Sequence, residues 1–349
     1  AGTTGRRQVL APQLREVAPA LVAWRADGQR CALATVVRVY GRAPLPVGAS
    51  LAVCEDGATA GAVSGGCVEQ EVLRTARDVM AGGPPRRLTF APDDDGVLGL
   101  GLPCGGGIDV WVQPWDADLR RADHGAFTAA VLADERAQFC TALEDTGEVL
   151  ELVVEPRGRL VLVGAGLVAG ALCAIAPGLG WTPIIVDPRE VIAAHAPTHD
   201  AARLLLTWPD EAVAGLGPLG PDDAVVVLSH QPALDDVALR VALTTGAGFI
   251  GALGSRRAHA DRLARLRDHG LGDADLARVV GPVGLDLGGW SPDEIALSIA
   301  AELVAVRHGR AGGRLVDATG PIHGAARAAA RAPEPASAAR VADPERAWT

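Results

Sequence analysis

The feature that most constrains this chain is a strand that runs straight into a glycine turn and then a helix, RLVLVGAGLVAG, Arg159 to Gly170. Gly164, Gly166 and Ala169 form a GxGxxG/A pattern. The first glycine permits a tight turn, and the second lets the backbone approach a pyrophosphate at the helix N-terminus. Asp187 closes the next strand, TPIIVD, 21 residues beyond Gly166, where an acid can accept from ribose hydroxyls. ARLLLTW, DDAVVVLSH and GAGFIGALG follow as short apolar runs separated by helical segments. That alternation predicts a Rossmann-like, doubly wound parallel sheet. The helix LVAGALCAIAPGLG should end or kink near Pro177. The late helix in WSPDEIALSIAAELVAVRHG has clear start signals in Ser291, Pro292 and Glu294.

The first half has a different rhythm. LREVAPALVAWRADG reads as a helix closed by Gly28, ALATVVRV as a strand, GRAPLPVGAS as a loop and SLAVCEDG as a strand entering a turn. CVEQEVLRTARDVMAGG reads as a helix stopped by Gly82 and Gly83, followed by the strands RRLTF, IDVWVQP, QFCTAL and VLELVVEP. The fold class is therefore α/β, with an N-terminal α+β domain over residues 10–155 and a Rossmann-like domain over 156–310. EPRG, residues 155–158, is the linker. The Ala-, Arg- and Pro-rich tail, 311–349, is expected to be a flexible end.

Composition narrows the class. Among 349 residues, 49% are apolar, enough for a sizeable core. A net charge of −10 argues against a nucleic-acid surface. No apolar stretch is long enough for a membrane span, and the opening AGTTGRRQVL lacks a signal-peptide core. The six cysteines are too scattered for a disulfide framework, so the chain reads as cytoplasmic with reduced thiols. Cys31, Cys140 and Cys173 sit in apolar runs and read as buried small hydrophobes; Cys54 is ambiguous.

Two cysteines stand apart. Cys67 follows Gly65 and Gly66 in GAVSGGCVEQ, at an expected helix start, and Cys104 precedes three glycines in GLPCGGG. Glycine leaves a thiol reachable, and a helix N-terminus favours its thiolate. Thiolates are soft metal ligands. The chain has no CxxC pair and no histidine before His124, so a closed tetrahedral zinc site is not indicated. Buried thiols tucked against glycine remain the plainer alternative. In the second half, His230 follows the strand VVVLS, with Asp235 and Asp236 close behind. Gly254, Ser255 and Arg256 end the strand in GALGSRR as a candidate anion seat, with Arg257 next to it. The plain alternatives are a loop-packing histidine and a solvated helix start.

Taken in order, GRAPLPVGA, GAVSGGCVEQEV, LPCGGGIDVWVQP, VGAG, VDPR, LSH…D, GALGSRR, GPVGLDLGGWSPDEIALSIAAE and PIHG resemble the xanthine dehydrogenase accessory factor family, also called the XdhC/CoxI family. The resemblance runs over about residues 15–323. It implies a maturation factor that binds the molybdenum cofactor, supports its sulfuration with a cysteine desulfurase and delivers it to a xanthine-dehydrogenase-like apoenzyme. On that reading Cys67 and Cys104 contact molybdenum or its sulfido group. The glycine turn (Gly164, Gly166), Asp187, His230, Ser255 and Arg256 hold the phosphate or nucleotide end. The chain departs from the family pattern at Leu167, where a histidine is often found beside the glycine turn. It also departs at Arg42 and Leu45 in the GRAPLPVGA loop, where a small polar residue and an arginine are expected.

Two other readings stay open. One is an NAD(P)-dependent oxidoreductase, although a single tyrosine, Tyr40, and the lack of lysine in the obvious loops remove one large dehydrogenase class. The other is a thiol-based redox or metal sensor. A catalytic chain of xanthine dehydrogenase is disfavoured, because no iron–sulfur cysteine cluster is present. A homodimer is expected from the frequency of such assemblies.

Overall fold

The structure, a computed structural model, describes residues 6–41, 43–90, 106–115, 124–193, 203–319 and 322. Cys104, Arg42 and the tail beyond Ile322 lie outside the described residues. The chain divides into two compact units, Ala1–Pro156 and Arg157–Thr349.

In the first unit the chain runs β1 (Arg6–Leu10), α1 (Leu14–Ala26), β2 (Cys31–Tyr40), β3 (Ser50–Cys54), β4 (Thr59–Gly61), α2 (Glu69–Met80), β5 (Arg86–Phe90), β6 (Gly107–Pro114), α3 (His124–Leu132), β7 (Ala137–Leu143) and β8 (Glu148–Val154). Five strands form an antiparallel sheet in the order β4-β3-β2-β6-β5. Alternate residues of its central strands serve two cores. Cys31, Leu33 and Trp111 face α1, α3 and the smaller sheet. Ala32, Ala34, Val36, Ile108, Val110 and Val112 face α2, which buries Val72, Ala76, Val79 and Met80 against them. Each such Val or Met contributes about 1.5–3 kcal/mol when fully buried. Because both faces are covered, the strands read as unbroken apolar runs.

The smaller sheet has the order β1-β8-β7. β1 goes unread in the sequence because its partner β8 lies some 140 residues away. It pairs parallel to β8, with Arg6 on Glu151 at 3.1 Å and Arg7 on Glu148 at 2.6 Å. β7 alternates buried and exposed residues, which corrects the reading of Cys140. Cys140 lies on the outer face, where its sulfur accepts from Arg6 Nη2 at 3.0 Å. Cys31, Cys54 and Cys173 are buried.

The second unit runs β9 (Gly158–Val163), α4 (Leu167–Ile175), β10 (Trp181–Val186), α5 (Glu190–Ala193), β11 (Arg203–Leu205), α6 (Pro209–Leu216), β12 (Ala224–Val227), α7 (Pro232–Leu243), β13 (Phe249–Ala252), α8 (Arg256–Asp268), α9 (Asp273–Leu276), β14 (Val279–Val280) and α10 (Pro292–Arg307). Its six strands are all parallel, in the order β11-β10-β9-β12-β13-β14, with an apolar core on each face. After β9 the chain winds one way through β10 and β11, then returns to lay β12 on the other side of β9. The switch point, where ligands bind in such sheets, therefore lies between the ends of β9 and β12. α4 stops at Ile175 and Pro177 sits in a tight 3-10 turn, as the sequence indicated. Ser291 and Glu294 form a reciprocal capping box at the start of α10, with Pro292 as its first residue.

Gly164 follows β9 with φ of +113°, and a Cβ there would stand 2.9 Å from the backbone nitrogen of Ser229. Positive φ and a backbone neighbour both exclude a side chain. Gly164→Ala should destabilise the second unit by about 2 kcal/mol or more, read by chemical denaturation. A cost below about 0.5 kcal/mol would mean that the turn can relax.

Candidate functional site

The two units each gather polar loops at one end of a sheet. In the first unit, Arg30 Nη1 donates to the carbonyl of Met80 at 3.0 Å, which sets the C-terminus of α2 beside the start of β2. α2 has 12 residues and packs along β2 and β6. At about 1.5 Å per residue it carries its N-terminus about 18 Å away, to the end where β2 finishes and β6 begins. The loop 62–68 with Cys67 therefore sits at that end. Phe90 pairs with Ile108 and Tyr40 with Gly107, so the connection from β5 to β6 that holds Cys104 leaves and rejoins the sheet there too.

The Cys67 loop is built round one carboxylate. Glu69 is the first residue of α2, which starts two residues later than the sequence pattern indicates. Its side chain reaches back and accepts from the N–H groups of Val63 (3.3 Å), Ser64 (2.8 Å), Gly65 (2.9 Å), Gly66 (2.8 Å) and Val68 (3.2 Å), and from the Ser64 hydroxyl. Ser64 Oγ in turn accepts from the N–H of Cys67 at 3.0 Å and of Val68 at 3.1 Å. Burial pushes the Glu69 carboxyl up. The Ser64 hydroxyl and the N–H groups of Ser64, Glu69 and Gly66 outweigh it and bring it down to about 2. Cys67 itself is exposed.

In the second unit the candidate residues line the carboxyl edge of the parallel sheet. Gly166 is exposed, and nothing lies within 4 Å of where its Cβ would be, so the turn is open above the start of α4. Leu167, also exposed, sits at the first position of that helix. His230 is exposed just past β12, beside the switch point. Ser255 caps α8 by accepting from the Ala258 N–H at 3.1 Å; Arg256 and Arg257 are exposed on its first turn.

Asp187 has other partners than a ribose. It is fully buried and accepts from the N–H of Ala165 at 2.8 Å and from Arg189 through its N–H (2.9 Å), Nε (2.8 Å) and Nη2 (2.7 Å). It thus ties the glycine turn to the end of β10. Burial raises its carboxyl, but the Arg189 guanidinium and the two N–H groups hold it below the usual carboxylate range. A ribose hydroxyl would have to compete with these donors. Asp235 and Asp236 also face inward. Asp235 accepts from the Ser229 hydroxyl and from Arg262 Nη2 at 2.8 Å, and Asp236 pairs with Arg265 at 2.8 Å, clamping α7 to α8.

Sequence comparison places these features among known proteins. The XdhC Rossmann domain matches residues 160–303, and the XdhC and CoxI family pattern matches residues 24–91. The chain is 30% identical to the molybdenum cofactor insertion chaperone PaoD of Escherichia coli, across 80% of this chain and 85% of that protein. The chain belongs to the XdhC and CoxI family. Within it, the chain is also 27% identical to a Bacillus subtilis protein named as a probable component of xanthine dehydrogenase, across 80% of this chain and 94% of that protein. A crystal structure described as a xanthine dehydrogenase from Bacillus halodurans shares the fold, with a TM-score of 0.68 at 24% identity over 87% of this chain and 98% of that one. For this XdhC and CoxI chain, sequence reasoning missed Ser64, Glu69, Arg189 and Arg262. The only local signals were a carboxylate two residues after Cys67 and the Asp-x-Arg spacing of Asp187 and Arg189.

Glu69 and Asp187 are both more acidic in the folded chain than in the unfolded one, so each adds stability above its unfolded pKa and loses it as pH falls through the folded value. Denaturation midpoints should hold from neutral pH to about 5 and decline below about 4.5, with a shallower decline in Glu69→Gln. A flat profile down to about pH 3 would contradict the assigned partners.

Proposed function

We propose that the protein binds the molybdenum cofactor as cargo and inserts it into a xanthine-dehydrogenase-like apoenzyme. The observation that carries this reading is the exposed Cys67 thiol at the sheet end from which the Cys104 segment also departs. A thiolate is a soft donor. A molybdenum that arrives on its pterin needs only one or two further ligands. Among the described residues no group of three or more His, Cys, Asp or Glu side chains could hold a metal ion. An exposed sulfur donor such as Cys67 suits a metal that is to be passed on.

The naming of the Escherichia coli relative as a cofactor insertion chaperone supports the same reading. The open glycine turn at Gly166, with His230, Ser255 and Arg256 on neighbouring strand ends, is by itself a seat for a phosphate or nucleotide group. A cysteine desulfurase supplies sulfur, and the protein works as a homodimer in the cytoplasm. Among the described residues no helix is long and apolar enough to cross a membrane. The internal pairing of Asp187 with Arg189 argues against NAD(P) as the resident ligand of the turn, because the expected ribose acceptor is engaged.

The test uses protein purified without oxygen from a host that makes the cofactor. Wild type should carry molybdenum and pterin in near-equal amounts. Cys67→Ser and Cys104→Ser should each retain at least about tenfold less. Full retention in both variants would sink the ligand role. Tight NAD(P) binding with no pterin would favour the oxidoreductase.

A further inference from the structure

We infer that Glu69, acting through Ser64, is the positioning residue that holds Cys67 in its metal-facing pose, an inference that rests on the reading of Cys67 as a cofactor ligand. The loop 63–68 has no ladder partner, yet its N–H groups must be satisfied. All six are spent inside the loop. Five N–H groups meet the Glu69 carboxylate, and the remaining one, from Cys67, meets Ser64 Oγ, which itself donates to Glu69. Val68 is shared between the two acceptors. Gly65 and Gly66 have φ of +80° and +118°, and nothing lies within 4 Å of either Cβ position. These glycines serve the turn and leave its outer side open.

This arrangement also determines what the loop can receive. With every N–H turned inward onto a carboxylate or the hydroxyl bound to it, the loop offers no donor to a phosphate or other oxyanion. What it presents outward is the Cys67 thiol. The loop is therefore built to meet the metal rather than a phosphate.

Glu69→Gln keeps the size of the side chain but turns an amide NH2 toward backbone donors. α2 stays anchored by Val72, Ala76, Val79 and Met80. In full-length protein this variant should speed hydrogen exchange of amides 64–68 and lower molybdenum and pterin retention by at least about fivefold. Glu69→Asp, which restores a carboxylate, should recover part of the loss. The decisive comparison is the double variant with Cys67→Ser. If Glu69 acts through Cys67, the double variant retains no less cofactor than Cys67→Ser alone. A merely structural role would make the losses add. Wild-type retention in Glu69→Gln, with loss in Cys67→Ser, would overturn the positioning role and leave the ligand reading standing. Wild-type retention in Cys67→Ser would overturn the ligand reading itself, and the positioning role with it. Should Glu69→Gln fail to fold, Ser64→Ala decides, because it cuts the link to Cys67 while leaving the carboxylate in place. Retention about threefold lower is expected, and unchanged retention overturns the inference.

Discussion

Both main sheets of this protein are covered on both faces, and that constraint shapes everything else. A doubly covered sheet leaves no face for a ligand and requires its backbone groups to be paired within the ladder. Chemistry is then pushed to the strand ends, where connections can vary without disturbing a core. In the first unit α2 and β6 bring the Cys67 loop and the ends of the Cys104 connection to one such end. In the second unit the reversal of winding after β9 opens the edge beside Gly164 and His230.

At both edges carboxylates do the organising, half-buried in Glu69 and buried in Asp187 and Asp235. Glu69 gathers the loop around Cys67, and Asp187 ties the glycine turn to the end of β10. Asp235 links Ser229 to Arg262 of α8, which also donates to the Leu253 carbonyl, joining the turns after β12 and β13. None of these acids needs to touch the cargo. Each satisfies backbone or guanidinium donors and so fixes the shape of a loop whose outer side is left for a ligand. The exposed groups, Cys67, His230, Ser255 and Arg256, rest on that support.

Much of this is legible in the sequence where the signal is local. The run from β9 through Gly164 to α4, the stop at Pro177 and the capping box of Ser291 and Glu294 all depend on neighbours within a few residues. The family is also legible, because its motifs recur in order along the chain. What escapes depends on distant partners. β1 is a strand because β8 lies beside it, and Cys140 faces outward because of the phase of β7. Asp187, Asp235 and Asp236 look like ligand groups because they follow strands. Their arginine partners lie on a turn or on a helix whose packing no spacing rule reveals. In the sequence Glu69 is one residue of an amphipathic helix, although its side chain points back into the loop.

The proposed function stands on Cys67 presenting sulfur to molybdenum at the end of the five-stranded sheet. Molybdenum-edge X-ray absorption on the loaded protein tests it most directly, comparing wild type with Cys67→Ser supplied with excess cofactor. One sulfur neighbour fewer is expected around the metal in the variant. Identical sulfur shells in the two proteins would contradict it.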